Sequence, residues 1–170
     1  MTQPVSNIDA AEFAEILQRL MTIRSHIQIV LPEEIARARA RLDETHPGGK
    51  NGSAVDYALL NQIARILTAQ DQPISMGELG RALDVPLSSA TRIVDWLEQS
   101  GFAERLPDPT DRRVVRVTLT KEGKSVYRLT RETMIQRIEA WLERFTPDQR
   151  RSLIDLVGKL VNIIEETGAR

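Results

Sequence analysis

The chain has 170 residues, 41% of them hydrophobic, with 24 acidic and 23 basic side chains, a net charge of −1 and no cysteine. That is enough for one core of ordinary size, or a small domain with appended helices, and it excludes disulfides, thiolate metal sites and cysteine-based redox sensing. No apolar run approaches the roughly 20 residues that span a bilayer, and no basic-then-apolar signal opens the chain, so a cytoplasmic protein without membrane contact is expected.

Residues 1 to 8 precede the first periodic pattern. A helix is expected from Asp9, with Glu12 at the capping-box offset. Phe13, Ile16, Leu17, Leu20, Ile23, Ile27 and Val30 form its apolar stripe, which Pro32 closes. The stripe is longer than packing on one small domain requires, so half of a helical dimer interface is expected. Residues 33 to 43, EEIARARARLD, read as another helix with Glu33 and Arg37 paired one turn apart. Arg37 and Arg41 share one face, which is either solvated or forms an arm that contacts phosphate or covers a pocket. ETHPGGKNGS, residues 44 to 53, is a connection by composition.

Residues 54 to 69 form a helix with Val55, Ala58, Leu59, Ile63, Ile66 and Leu67 inward. A shorter helix opens at Ser75 with Glu78 completing a capping box, and its stripe is Met76, Leu79, Ala82 and Leu83. Asp84-Val85-Pro86 ends it, because proline disfavours helical geometry in the preceding residue. The next helix runs from Leu87 to about Ser100 and stops at Gly101. Ala90, Ile93, Val94 and Leu97 form its buried stripe. Ser88, Ser89, Thr91, Arg92 and Asp95 then point away from the core. Hydroxyls and an arginine on an exposed first turn suit a helix entering the major groove N-terminus first, where they meet phosphates and base edges.

Phe102 to Leu106 and Val114 to Thr120 alternate as two strands, with Val115, Val117 and Leu119 on one face. PDPTDRR between them specifies a loop with Arg112 and Arg113 at its tip. Such a hairpin after a helix-turn-helix is a winged helix, whose tip arginines are attracted by the minor groove's negative potential. Four arginines against two aspartates between Arg105 and Arg116 make the wing locally basic, whereas Asp95 and Glu98 leave the preceding helix less so.

The run DPTDRRVVRVTLTKEG, preceded by RIVDWLEQSGFAER, resembles the MarR (multiple-antibiotic-resistance regulator) family of winged-helix transcriptional regulators over roughly Ala54 to Gly123. Its most specific pieces are Asp111-Arg112-Arg113 and Leu119-Thr120-x-x-Gly123. The resemblance implies a mainly α fold: a winged helix-turn-helix with a small β-hairpin wing, flanked by N- and C-terminal dimerisation helices. It implies a homodimeric repressor that binds double-stranded DNA at a palindromic operator and responds to a small aromatic or anionic effector. It also implies that the wing's acidic–basic pair braces the loop while a wing arginine enters the minor groove. Those roles fall on Asp111 with Arg112 or Arg113. Pro86 departs from the family, which often has a capping Ser or Asp there, and Trp96 departs where a basic residue is common. Residues 32 to 53 look like an insertion.

Thr120 caps a long helix running to about Phe145, with Val126, Leu129, Ile135, Ile138, Trp141, Leu142 and Phe145 apolar. Thr146-Pro147-Asp148-Gln149 opens the last helix with a second capping box, followed by Leu153, Leu156, Val157, Leu160, Val161 and Ile164. The expected organisation is 1–53 as dimerisation helix plus inserted helix and linker, 54–123 as DNA-binding domain, and 124–170 as dimerisation helices. His26 and His46 lie in no ligand-spaced cluster, no nucleophile motif surrounds the serines, and Trp96, Trp141 and Met134 read as packing residues. Neither catalysis nor a cofactor or metal is expected. Two functions remain: a DNA-binding regulator using Ser88, Ser89, Thr91, Arg92, Asp111, Arg112 and Arg113, and a winged-helix module that binds protein, at which only Trp96 hints. For an effector, Arg24 is the candidate carboxylate partner, with walls from the first helix, residues 54 to 69 and the start of the helix after Thr120.

Overall fold

The computed structural model describes residues 7–26, 31–46, 54–70, 72–111 and 113–168. Ile27, Val30, the connection at 47–53 and Arg112 lie outside the described residues, as do the side chains of Ile23, Arg24, His26, Val55 and Ala58. The chain divides into two compact units, Met1–Glu33 and Glu34–Arg170. In the first, α1 (Asn7–His26) carries Phe13, Ile16, Leu17 and Leu20 along one side, all exposed.

Helix α2 (Glu33–Thr45) leads into the second unit, which continues through α3 (Ala54–Ala69), β1 (Ile74–Ser75), α4 (Met76–Leu83) and α5 (Leu87–Gln99). The wing strands β2 (Ala103–Pro107) and β3 (Val115–Leu119) follow, then α6 (Lys121–Leu142) and α7 (Pro147–Gly168). The sheet is antiparallel in the order β1-β3-β2. Sequence periodicity gives a two-stranded ribbon. The third strand is two residues long, too short to alternate, and is defined by its pairing of Ile74 with Val117 and Ser75 with Arg116.

One core joins α2 to β3. It contains Ala38 of α2, Leu60, Ile63 and Leu67 of α3, and Leu79 and Leu83 of α4. Ala90, Ile93, Val94, Trp96 and Leu97 of α5 complete it with Phe102, Ala103, Val117 and Leu119. The stripe expected for α5 is buried as a set, and Trp96 joins it. In α4 the face is rotated slightly: Gly80 is inside and Ala82 is exposed. Val115, expected on the inner face, is exposed because it lies beyond the end of the core, paired with Pro107 near the wing loop.

The boundaries follow local chemistry. Ser75 and Glu78 close a reciprocal capping box, the serine hydroxyl accepting from Glu78 N at 3.2 Å and the Glu78 carboxylate from Ser75 N at 2.7 Å. Asp84 ends α4 in the left-handed region (φ 52°), which a short polar side chain tolerates. Helix α5 ends in a Schellman motif: Phe102 N donates to Leu97 O at 2.8 Å and Gly101 N to Glu98 O at 2.9 Å, with Gly101 at φ 78°. Thr146 and Gln149 repeat the capping box at α7, and Arg150 Nε donates to Leu142 O at 2.7 Å across the α6–α7 turn.

Helices α6 and α7 are apolar on surfaces that the second unit does not cover. Ile135, Ile138, Trp141 and Phe145 of α6 and its exit are exposed, as are Leu153, Leu156, Val157, Val161 and Ile164 of α7.

Candidate nucleic-acid interface

The first turn of α5 is open. Its N-cap is Pro86, which supplies no side-chain acceptor. Pro86 O takes the N–H groups of Ser89 (2.9 Å) and Ala90 (3.2 Å), so those of Leu87 and Ser88 stay unbonded among the described residues. Unpaired amides at a helix start attract anions. Ser88 is exposed and Ser89 half-buried. The Thr91 hydroxyl is half-buried and donates to Leu87 O at 2.8 Å, which leaves its oxygen able to accept. Arg92 is exposed and, among the described residues, has no ion-pair partner. Leu87, not singled out from sequence, is 55% exposed on the same turn. An apolar side chain there can meet a thymine methyl.

Asp95 and Glu98 do not leave this face acidic. Arg105 of β2 bridges both, at 2.7 Å to Asp95 and 2.5 Å to Glu98. The same contacts lay β2 alongside the last turns of α5.

The wing loop is organised by Asp108, which is 5% exposed. Its Oδ1 accepts from Thr110 N (2.7 Å), Thr110 Oγ1 (2.6 Å) and Asp111 N (2.9 Å), and its Oδ2 accepts from Arg116 Nε. Arg116 also donates from Nη1 to Pro73 O at 2.8 Å, tying the wing to the residue before β1. The Thr110 hydroxyl, the amides of Asp111 and Thr110, and Arg116 hold the Asp108 carboxyl far below the usual carboxylate range.

An acidic–basic pair within the described wing is Asp108 with Arg116. Of the expected pair, Asp111 with Arg112 or Arg113, Arg112 lies outside the described residues. Asp111 is exposed and uses its carboxylate to accept the Arg113 amide at 2.9 Å. The sequence signal was present as Asp-Pro-Thr-Asp, since an aspartate two residues before a threonine amide is the Asx-turn pattern. Of the wing arginines, Arg105 and Arg116 are engaged within the fold, Arg113 is exposed, and Arg112 lies outside the described residues.

A model of the MarR family matches residues 65–115, from the second half of α3 through the wing loop. Over this span the winged helix resembles those of the MarR family. The HTH-type transcriptional regulator YcgE of Bacillus subtilis is 36% identical over 95 residues, which cover 55% of this chain and 61% of YcgE. The chain thus matches about three fifths of that relative's length. The crystal structure of RV1404 from Mycobacterium tuberculosis is similar with a TM-score of 0.63 and 25% identity, covering 95% of this chain and 97% of that one. Streptococcus pneumoniae FabT, solved in complex with DNA, shares the fold with a TM-score of 0.62 and 19% identity over 91% of this chain and 99% of its own. Trp96, read from sequence as a packing residue, is buried in this winged helix. It is 2% exposed, and its indole Nε1 donates to Leu42 O at 2.9 Å.

Proposed function

We propose that the chain is a sequence-specific DNA-binding regulator of transcription, acting as a cytoplasmic homodimeric repressor on a palindromic operator. The observation that carries this is the open first turn of α5, followed by a hairpin wing whose loop exposes Arg113. Ser88, Ser89, Thr91 and Arg92 occupy the helix that enters the major groove, and Arg112 and Arg113 occupy the wing at the minor groove. Asp111 orders the wing tip through the Arg113 amide rather than touching DNA itself. FabT, with the same fold, was solved with DNA bound. The alternative, a module that binds protein through α5, loses its one sequence hint because Trp96 is buried.

The dimer is supported by the run of exposed apolar side chains along α6 and α7. Residues 1–53 and 124–170 supply it in this reading, with 54–123 as the DNA-binding domain. An effector site is supported by an open cleft of about 440 Å³ between the end of α3 and the start of α6. Lys121, Lys124, Tyr127, Arg128 and Arg131 line it together with Glu132, a net cationic set with one aromatic ring that suits a small aromatic anion.

Selection of bound duplexes from a random double-stranded library tests the reading. It should enrich an imperfect palindrome with half-sites about one helical turn apart, roughly 34–36 Å. Recovery of no sequence above salt-sensitive background binding would rule out sequence-specific recognition.

A further inference from the structure

The C-terminal end of α5 is held from two sides. From α6, the Thr120 hydroxyl donates to Gly101 O at 2.8 Å and the Thr120 amide to Phe102 O at 3.1 Å. From α2, Arg41 Nη1 donates to Ser100 O at 3.2 Å, and its guanidinium stacks 5.0 Å from the Phe102 ring centroid. The same guanidinium forms a two-pronged pair with Glu122 in the first turn of α6, at 3.2 and 2.6 Å. One side chain therefore touches α5, the turn after it and α6 together.

Helix α2 is seated on that end by further contacts. Trp96 Nε1 donates to Leu42 O, the Thr45 and Ser100 hydroxyls lie 2.6 Å apart, and the His46 ring meets Trp96 edge-on at 4.6 Å. Three of the last carbonyls of α5 are taken within the chain's own turn: Trp96 O by Ser100 N and Oγ, Leu97 O by Phe102 N, and Glu98 O by Gly101 N. Among the described residues, Arg41 is the partner of Ser100 O. A cation at this terminus also complements the helix dipole.

We infer that Arg41 is a positioning residue for DNA recognition: by linking Ser100 O to Glu122 it fixes the angle between α5 and α6, and with it the pose of the helix that meets DNA. This rests on the DNA-binding reading above. The Arg41 and Glu122 side chains are 40% and 50% exposed, and a pair so open to solvent adds little to folding stability. Its planar, two-pronged geometry adds orientation, which a lysine cannot reproduce. If α6 belongs to the dimer interface, the pair sets how far apart two copies of α5 stand. Arg41 itself lies at the end of α5 opposite the open first turn, a helix of 13 residues and roughly 20 Å away.

The test uses the full-length chain and the duplex enriched by selection, together with duplexes whose half-site spacing is changed by one base pair either way. Arg41→Ala, Arg41→Lys and Glu122→Gln should each lower operator affinity by about three- to tenfold and flatten the preference among spacings. Affinity for unrelated duplex and the melting temperature should hold. Unchanged operator affinity and spacing preference in Arg41→Ala and Glu122→Gln would overturn the inference. Equal losses on operator and unrelated duplex in Arg41→Ala, with Glu122→Gln unaffected, would also overturn it and make Arg41 a phosphate contact. If Arg41→Ala fails to fold, Glu122→Gln decides alone. A wild-type chain that enriches no duplex instead removes the DNA-binding reading, a distinct outcome.

Discussion

A β-carbon placed on Gly123 would stand 2.0 Å from the carbonyl oxygen of Phe102 and 2.9 Å from its carbonyl carbon. The close approach exists because Thr120 caps α6 with its hydroxyl on Gly123 N while its amide bonds Phe102 O, pressing the first turn of α6 onto the exit of α5. Both obstructing atoms are backbone, so no side-chain rotation relieves the contact. Gly123→Ala should destabilise the fold by at least about 1–3 kcal/mol, the usual range for overpacking a tight site. Gly77→Ala, whose β-carbon meets nothing within 4 Å, is the control and should be neutral or slightly stabilising. Urea denaturation of both variants measures the difference.

Trp96 yields the second prediction. Trp96→Phe keeps most of the buried ring but removes the donor to Leu42 O. The loss should be about 1–2 kcal/mol, the cost of a broken partly buried hydrogen bond with a smaller packing contribution. Trp96→Lys, restoring the basic residue common in the family, should cost more, because it places an ammonium where the indole is 2% exposed. Thermal melts should rank wild type above Trp96→Phe and Trp96→Lys lowest.

In the wing, bracing and contact should separate by residue. Arg113→Ala removes an exposed cation and should weaken DNA binding across sequences, reduce the salt slope by about one, and leave the melting temperature unchanged. Asp108→Asn and Arg116→Ala remove two ends of one ion pair, so each should lower stability and DNA affinity, and the double variant should lose little beyond the worse single. Asp111→Ala should be milder, since it forfeits only the Arg113 amide contact. Simple additivity of Asp108→Asn with Arg116→Ala would count against a shared brace.

Acid should act through the same carboxylates. Asp108 is held far down by the Thr110 hydroxyl, the loop amides and Arg116, and Glu78 is lowered chiefly by the Ser75 amide. A carboxyl whose folded pKa is depressed stabilises the fold above its unfolded pKa, about 4, and that contribution fades as pH falls toward its folded value. Melting temperature should therefore decline below about pH 4. The decline should be shallower in Asp108→Asn, which has no carboxylate there to protonate. A parallel decline in both proteins would remove Asp108 as a source.

The winged-helix order, the two capping boxes and the α5 stripe were legible in sequence because each depends on neighbours within about one helical turn. The brace was harder to read. Asp108 and Arg116 are eight residues apart on opposite sides of a loop, and only the register that pairs Leu106 with Arg116 brings them together. Arg105 reads as a wing cation until the hairpin folds onto α5 and spends it on Asp95 and Glu98. The role of 33–45 was least accessible. An Arg41–Glu122 contact spans 81 residues, and the composition of α2 suits a solvated helix equally well. Leu87 escaped notice because an apolar residue at a helix start reads as core by default.

The exposed stripe of α7 gives the last prediction. Leu153, Leu156, Val157, Val161 and Ile164 recur at helical spacing and are open to solvent in the single chain, Leu156 at 63%. If they pack against a second copy, Leu156→Arg places an unpaired charge in that contact, and two-fold symmetry places it twice. Stranding one charge in a buried interface costs about 3 kcal/mol or more. Two copies should then weaken the dimer by at least a thousandfold, at tenfold per 1.4 kcal/mol. Because Leu156 is not part of the core that joins α2 to β3, the variant should keep its helical content and its winged helix. Sedimentation at micromolar concentration should show a dimer for the wild-type chain and a folded monomer for Leu156→Arg. Operator affinity should fall with it, since half-sites would be bound singly. A wild-type chain that sediments as a monomer, or a Leu156→Arg variant that remains dimeric, would place the interface elsewhere or remove it.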